Sequence, residues 1–310
     1  MIRDDYGRPV LNLRISVTQR CNLRCPYCHR EGESAHPPTE MTKDEIVRIV
    51  RVAVGMGMSK VKLTGGEPLL RSDIIDIVKD IADVRGLRDL SMTTNGTNLA
   101  SLAKRLHESG LKRVNISIPS LNAETYRALM GGDLRNVLKG IREAVDAGLF
   151  PVKLNMLVLR NVNDDEIPRM INFAEQSGTI LQMIELEPLN ISTSYYKRYH
   201  YALDAVENEL KKQARRVVTR GDMQNRKVYF LPRTKVEVVR PLENTEFCLC
   251  CTRLRVTSDG WLKPCLMRND NLVDALTPLR NGAGEKELRK LFLEAVKRRE
   301  PYHQVKSVKT

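Results

Sequence analysis

The chain has 310 residues, 42% hydrophobic and 29% charged, a make-up that suits a large globular core. No run of eighteen apolar residues occurs, and the start Met1-Ile2-Arg3-Asp4-Asp5 lacks the apolar stretch of a secretory signal, so neither a membrane span nor export is expected. The formal net charge of +13 leaves three partners open (nucleic acid, an anionic small molecule, an unspecialised basic surface), while 5% aromatic residues offer few stacking platforms for single strands.

Residues 11–18 read as a strand that runs straight into a cysteine-bearing loop. Thr42-x-x-Glu45 is a capping box that opens a helix lasting to about Gly55. Residues 60–63 form a short strand ending in Gly65-Gly66, and 72–84 are helical. Strands over 90–93, 113–118, 152–159 and 180–186 alternate with helices over 99–108, 134–147 and 164–176. These six βα-type units predict an α/β fold, a partial (βα)6 TIM-like barrel over residues 1–190, with its active face at the C-terminal ends of the strands. The pattern changes after Pro188. A helix over 204–215, a hairpin over 228–240 turned at Pro232, a second hairpin at Ser258-Asp259-Gly260 and a helix over 285–299 predict a C-terminal α+β extension covering 191–310.

Six of the seven cysteines form two triplets, Cys21-x3-Cys25-x2-Cys28 and Cys248-x2-Cys251-x13-Cys265. In a reducing, cytoplasmic setting, clustered cysteines read as metal ligands rather than disulfides. A triplet suits a cubane iron–sulfur cluster: three thiolates hold three irons and leave the fourth open to a small molecule. Zinc competes for the first triplet, with His29 as a fourth ligand. Cys250 is a spare thiol, either inert or a substitute for Cys248 or Cys251.

Cys21-x3-Cys25-Pro26-Tyr27-Cys28 resembles the signature of radical S-adenosylmethionine (SAM) enzymes, and Thr64-Gly65-Gly66-Glu67-Pro68 resembles their GGEP motif. The resemblance implies a [4Fe–4S] cluster on Cys21, Cys25 and Cys28 whose open iron chelates SAM and whose electron cleaves it to a 5′-deoxyadenosyl radical. It also implies SAM contacts from Tyr27, Gly66 and Ser117, with Glu67 fixing the local geometry. The segment from Cys248 through Arg253-Leu254-Arg255 to Cys265 is similar to the second-cluster region of the GTP 3′,8-cyclases of molybdenum-cofactor biosynthesis. That similarity implies a second [4Fe–4S] cluster on Cys248, Cys251 and Cys265, and GTP contacts from Arg14, Lys62, Thr93, Lys153, Arg253, Leu254 and Arg255, with Arg14 also taken as catalytic. It further implies H3′ abstraction from GTP and attack of C3′ on guanine C8. An electron donor, the next enzyme of the pathway (cyclic pyranopterin monophosphate synthase) as product acceptor, and a homodimer complete the expected partners; nucleic acid and membrane do not figure among them.

Three departures accompany the resemblance. The family commonly ends in Gly-Gly, whereas this chain ends Lys306-Ser307-Val308-Lys309-Thr310, as an archaeal-like variant. Pro119-Ser120 stands where many members have Asp-Ser, and Glu187 where a Met often contacts SAM. The competing readings are a two-cluster radical enzyme acting on a peptide or another substrate, and a basic zinc protein binding nucleic acid.

Overall fold

The structure is a computed structural model that describes residues 1–33, 39–242 and 244–302; the departure at the C-terminal end lies outside the described residues. Six strands alternate with helices as expected: β1 (Asn12–Ser16), α1 (Lys43–Gly55), β2 (Lys60–Thr64), α2 (Ile74–Ala82), β3 (Asp89–Thr94), α3 (Leu99–Glu108), β4 (Arg113–Ser117), α4 (Ala123–Met130), α5 (Leu134–Asp146), β5 (Lys153–Val158), α6 (Ile167–Gln176) and β6 (Ile180–Glu185). Strand periodicity separates two faces. Leu13 and Ile15, Val61 and Leu63, Leu154 and Met156 are buried in the apolar core. The alternate positions Arg14, Lys62, Thr93, Asn115, Asn155 and Gln182 line a central cavity. A parallel strand covered on both sides is normally apolar on both faces; here the inner face is polar because it borders a cavity rather than a packed interior. The capping box forms as predicted, with Thr42 Oγ1 accepting from Glu45 N at 3.3 Å and Thr42 N donating to Glu45 Oε2 at 2.8 Å.

The remaining chain gives α7 (Thr193–Tyr199), α8 (Asp204–Gln213), β7 (Arg216–Arg220), β8 (Arg226–Phe230), β9 (Lys235–Val239), α9 (Thr245–Leu249), β10 (Arg253–Val256), β11 (Trp261–Lys263), β12 (Val273–Asp274), α10 (Leu276–Arg280) and α11 (Glu285–Lys297). It does not hang from the barrel as an appendage. The sheet order is β12-β11-β10-β1-β2-β3-β4-β5-β6-β9-β8-β7. β10 runs parallel to β1 and β9 parallel to β6, so the C-terminal segment adds a parallel strand at each edge of the six. One hydrophobic cluster joins Leu13 and Met156 to Val236, Leu254 and Phe292.

The outermost strands β12 and β7 do not pair with each other. The turn between β7 and β8 instead bridges toward the other edge: Asp222 pairs with Lys60 at 2.9 Å, its carbonyl accepts from Thr252 Oγ1 at 2.9 Å, and Gln224 N donates to the Cys250 carbonyl at 3.2 Å. Gln224 (φ 62) and Asn225 (φ 55) both hold left-handed backbone there, a conformation that side-chain-bearing residues keep only when their surroundings fix it.

Candidate active site

The first cysteine loop is positioned by glycine. Gly66 N donates to the Thr18 carbonyl at 2.7 Å and Glu67 N to the Arg20 carbonyl at 2.8 Å, which continues the β1–β2 ladder into the loop. A Cβ on Gly66 would lie 2.2 Å from the Arg20 carbonyl oxygen, and Gly65 needs φ 139; only glycine permits this approach. Cys21, Cys25 and Cys28 then line one wall of the cavity, with Tyr27 and Gly66 beside them. Helix α4, which the sequence reading missed, brings Met130 under the loop, where its Sδ lies 3.3 Å from Cys25 Sγ and accepts from Tyr27 Oη at 3.0 Å. Cys21 Sγ accepts from Leu23 N at 3.5 Å and from Asn95 Nδ2 at 3.9 Å. Burial, then the neighbouring Cys28 and Cys21, push the Cys25 thiol up to about 12.

Cys248, Cys251 and Cys265 line the same cavity. Cys250 is not among its lining residues, which argues against its standing in for either neighbour. Two buried arginines hold the backbone of this region: Arg8 Nη1 donates to the Cys248 carbonyl at 2.9 Å, and Arg299 Nη2 donates to the Cys251 carbonyl. Asp4 pairs with both, at 2.8 Å from Arg8 and 3.0 Å from Arg299, and offsets one of their two charges. Burial pushes the Cys251 thiol up, but Arg299, Arg253 and Arg8 outweigh it and leave the thiol below its ordinary value.

The strands supply the cations between the two cysteine sets. β1 and β10 pair in register, Arg14 with Arg255, and β1 and β2 pair Arg14 with Lys62. Glu31, on the turn just after Cys28, binds both Arg14 (3.4 Å) and Arg255 and accepts from Thr64 Oγ1 at 2.8 Å. Burial would protonate Glu31, yet Arg14 and Arg255 hold its carboxyl well below the usual range. Lys62 Nζ donates to Asn115 Oδ1 at 2.6 Å, and Lys153 pairs with Glu237. Burial lowers Lys153 to about 8 despite Glu237, and lowers Lys62 well below its ordinary value, with Arg113 and Arg14 adding to the effect.

Most of the expected site residues converge: Arg14, Lys62, Thr93, Ser117, Lys153, Arg253 and Arg255 all face the cavity. Two do not. Leu254 is fully buried in the apolar core, because it alternates with Arg253 and Arg255 on β10, and it does not line the cavity. Glu67 is also fully buried, and its carboxylate is occupied by Thr94 Oγ1 (2.7 Å), Asn95 N (2.6 Å) and Leu69 N (3.0 Å). It ties the end of β3 to the glycine turn and so acts on the cavity through backbone position. Glu187 lines the cavity with its Oε2 buried and unpartnered among the described residues. Glu31, Asn115, Gln182, Arg226 and Glu237 were not foreseen, although polar residues at alternate places in otherwise apolar strands marked Asn115, Gln182 and Glu237.

Residues 15–174 match the family described as the radical SAM superfamily, and residues 179–305 match Molybdenum Cofactor Synthesis C. A protein of Thermococcus kodakarensis described as a probable GTP 3′,8-cyclase is 52% identical over 97% of this chain and 99% of its own length; one of Methanocaldococcus jannaschii with the same description is 45% identical over 98% and 100%. The chain belongs to the GTP 3′,8-cyclase family. Two solved structures share the fold of this family member. Streptococcus suis SuiB bound to S-adenosylmethionine has a TM-score of 0.66 at 18% identity, covering 91% of this chain and 68% of that one. Native anSMEcpe with bound AdoMet has a TM-score of 0.60 at 18% identity, covering 89% and 79%.

A radical SAM enzyme uses a [4Fe–4S] cluster and SAM, and the first cysteine wall fits such a group: three thiols beside one another, with N–H donors aimed at sulfur. Among the described residues no three His, Cys, Asp or Glu side chains close around one metal ion, as a zinc site requires. A cubane does not require that closure, since each thiolate binds a different iron. No helix among the described residues is long and apolar enough to cross a membrane.

Proposed function

We propose that this enzyme converts GTP to 3′,8-cyclo-7,8-dihydro-GTP, the first step of molybdenum cofactor biosynthesis, using Cys21, Cys25 and Cys28 for one [4Fe–4S] cluster and Cys248, Cys251 and Cys265 for a second. One observation carries the reading: both cysteine trios and a belt of arginines and lysines face a single cavity. The first cluster would supply the electron that cleaves SAM, and the second an open iron for the guanine. The chain's own residues bind and orient. Tyr27, Gly66 and Ser117 form the SAM side, while Arg14, Lys62, Thr93, Lys153, Arg253 and Arg255 form the GTP side. Guanidinium forks and ammonium groups match a polyphosphate. Holding C3′ and C8 within one pocket favours the ring closure by proximity. Residues 1–190 carry the SAM half and residues 191–310 most of the second-cluster half. A cytoplasmic setting, an electron donor, transfer of product to cyclic pyranopterin monophosphate synthase and a homodimer belong to the same proposal.

The test is anaerobic incubation of reconstituted protein with GTP, SAM and a chemical reductant, followed by chromatographic separation of the nucleotides and mass and ultraviolet analysis of each peak. The expected result is a product isomeric with GTP, formed alongside 5′-deoxyadenosine and methionine. SAM cleavage with unchanged GTP would overturn the substrate and favour the peptide-modifying alternative.

A further inference from the structure

The cations of the cavity fall into two classes. Arg14 and Arg255 share Glu31, Lys153 and Arg220 share Glu237, and Arg113 pairs with Asp89. Lys62, Arg253 and Arg226 have no carboxylate at ion-pair distance among the described residues, though all three line the cavity. Arg226 is 8% exposed, its Nη2 donates to Gln224 Oε1 at 2.7 Å, and its Nε is buried without a partner. Its guanidinium lies 5.6 Å from the Phe247 ring centre, next to Cys248. Glu237 and Glu187 offset part of its charge from beyond ion-pair distance, and a buried guanidinium with no direct carboxylate and an unmet N–H gains from an anion that arrives to meet it.

From this geometry we infer that Arg226 is a further substrate-binding residue, which the β7–β8 turn delivers across the open side of the barrel to grip the polyphosphate of the nucleotide. The inference rests on GTP being the substrate. The left-handed pair Gln224-Asn225 and the contacts of Asp222 and Gln224 with Lys60, Thr252 and Cys250 fix the turn. Gln224 in turn holds one edge of the guanidinium and leaves Nε free for a phosphate oxygen.

The test compares binding of GTP, GDP and guanosine to anaerobically reconstituted protein by calorimetry. Arg226→Gln is expected to weaken GTP by about tenfold to a hundredfold, the scale of a lost charge-assisted hydrogen bond in a buried site, and to leave guanosine within twofold. Arg226→Lys, which keeps the charge and loses the fork, should fall between wild type and Arg226→Gln and serves as the decisive variant if the glutamine protein does not fold. Equal weakening of GTP and guanosine, or unchanged GTP affinity in either variant, overturns the assignment of Arg226. Failure of the wild-type protein to bind any guanine compound overturns the GTP reading instead.

Discussion

The two cysteine trios differ most clearly at Cys251, since burial raises Cys265 of the second trio as it raises the first three thiols. Cys21, Cys25 and Cys28 sit on a loop held by backbone hydrogen bonds to a glycine turn, and burial raises all three thiols. Cys251 sits among Arg8, Arg253 and Arg299, which lower its thiol against burial. On the proposed reading, a group that exchanges an electron with SAM and a group that holds an anionic substrate ask for different fields. The molecule supplies them with apolar packing around Met130 at one end and buried arginines at the other.

Exchanging the roles of the trios is the most severe test of that contrast. Cys25→Ala should abolish formation of 5′-deoxyadenosine. Cys251→Ala should retain part of it while stopping turnover of GTP, and each should halve the iron from about eight per chain. Chromatography of the nucleoside products with iron analysis decides it; indistinguishable variants would remove the separate roles.

The arginine side can be broken without touching a cysteine. The Asp4 side chain is 0% exposed, beside Arg8 at 5% and Arg299 at 1%. Asp4→Ala leaves both guanidiniums buried without their carboxylate and should cost about 3–5 kcal/mol of stability. Chemical denaturation measures the loss, and iron should leave the C-terminal trio first. A variant as stable as wild type would mean that the Asp4 triad does not brace the second site.

The glycine side has its own variant. In Gly66→Ala the new Cβ meets backbone carbonyls of Arg20 and Gln19 at 2.2 and 2.6 Å, so the loop must move, at about 1–3 kcal/mol. Weaker SAM binding with unchanged GTP binding is expected by calorimetry, whereas an equal loss of both would show that the two halves are not independently held.

The smallest effect is a pH dependence. Lys153 is lowered to about 8, so it is charged at neutral pH and loses its proton as pH rises through that value. GTP affinity should be flat below pH 7 and then fall by up to about tenfold per pH unit for one proton. Lys153→Arg, which stays charged, should flatten the curve. An unchanged slope in that variant would place the titrating group elsewhere, with Lys62 the next residue to test.

The chemistry of the site was legible in short stretches. Cys21-Cys25-Cys28, Gly65-Gly66 and Arg253-x-Arg255 act over a few residues, and strand periodicity alone places both arginines on one face. The same periodicity, pursued, would have removed Leu254 from the cavity. Glu67, expected to fix the local geometry, has its carboxylate taken up by Thr94 and Asn95 at the end of β3, partners that its own stretch of sequence does not announce. Arg226 gave no local sign at all, since nothing near it distinguishes it from other arginines in a basic chain.

The sequence by itself determined the six βα units, the two cysteine triplets and the family, because each depends on residues close together along the chain. Only the tertiary structure decided that β9 and β10 extend the sheet from the far end of the chain, and which cavity cations have a carboxylate beside them. Those outcomes depend on pairings between segments far apart in sequence, such as Glu31 with Arg255 and Asp222 with Lys60, whose registry is set by the packing of the whole sheet.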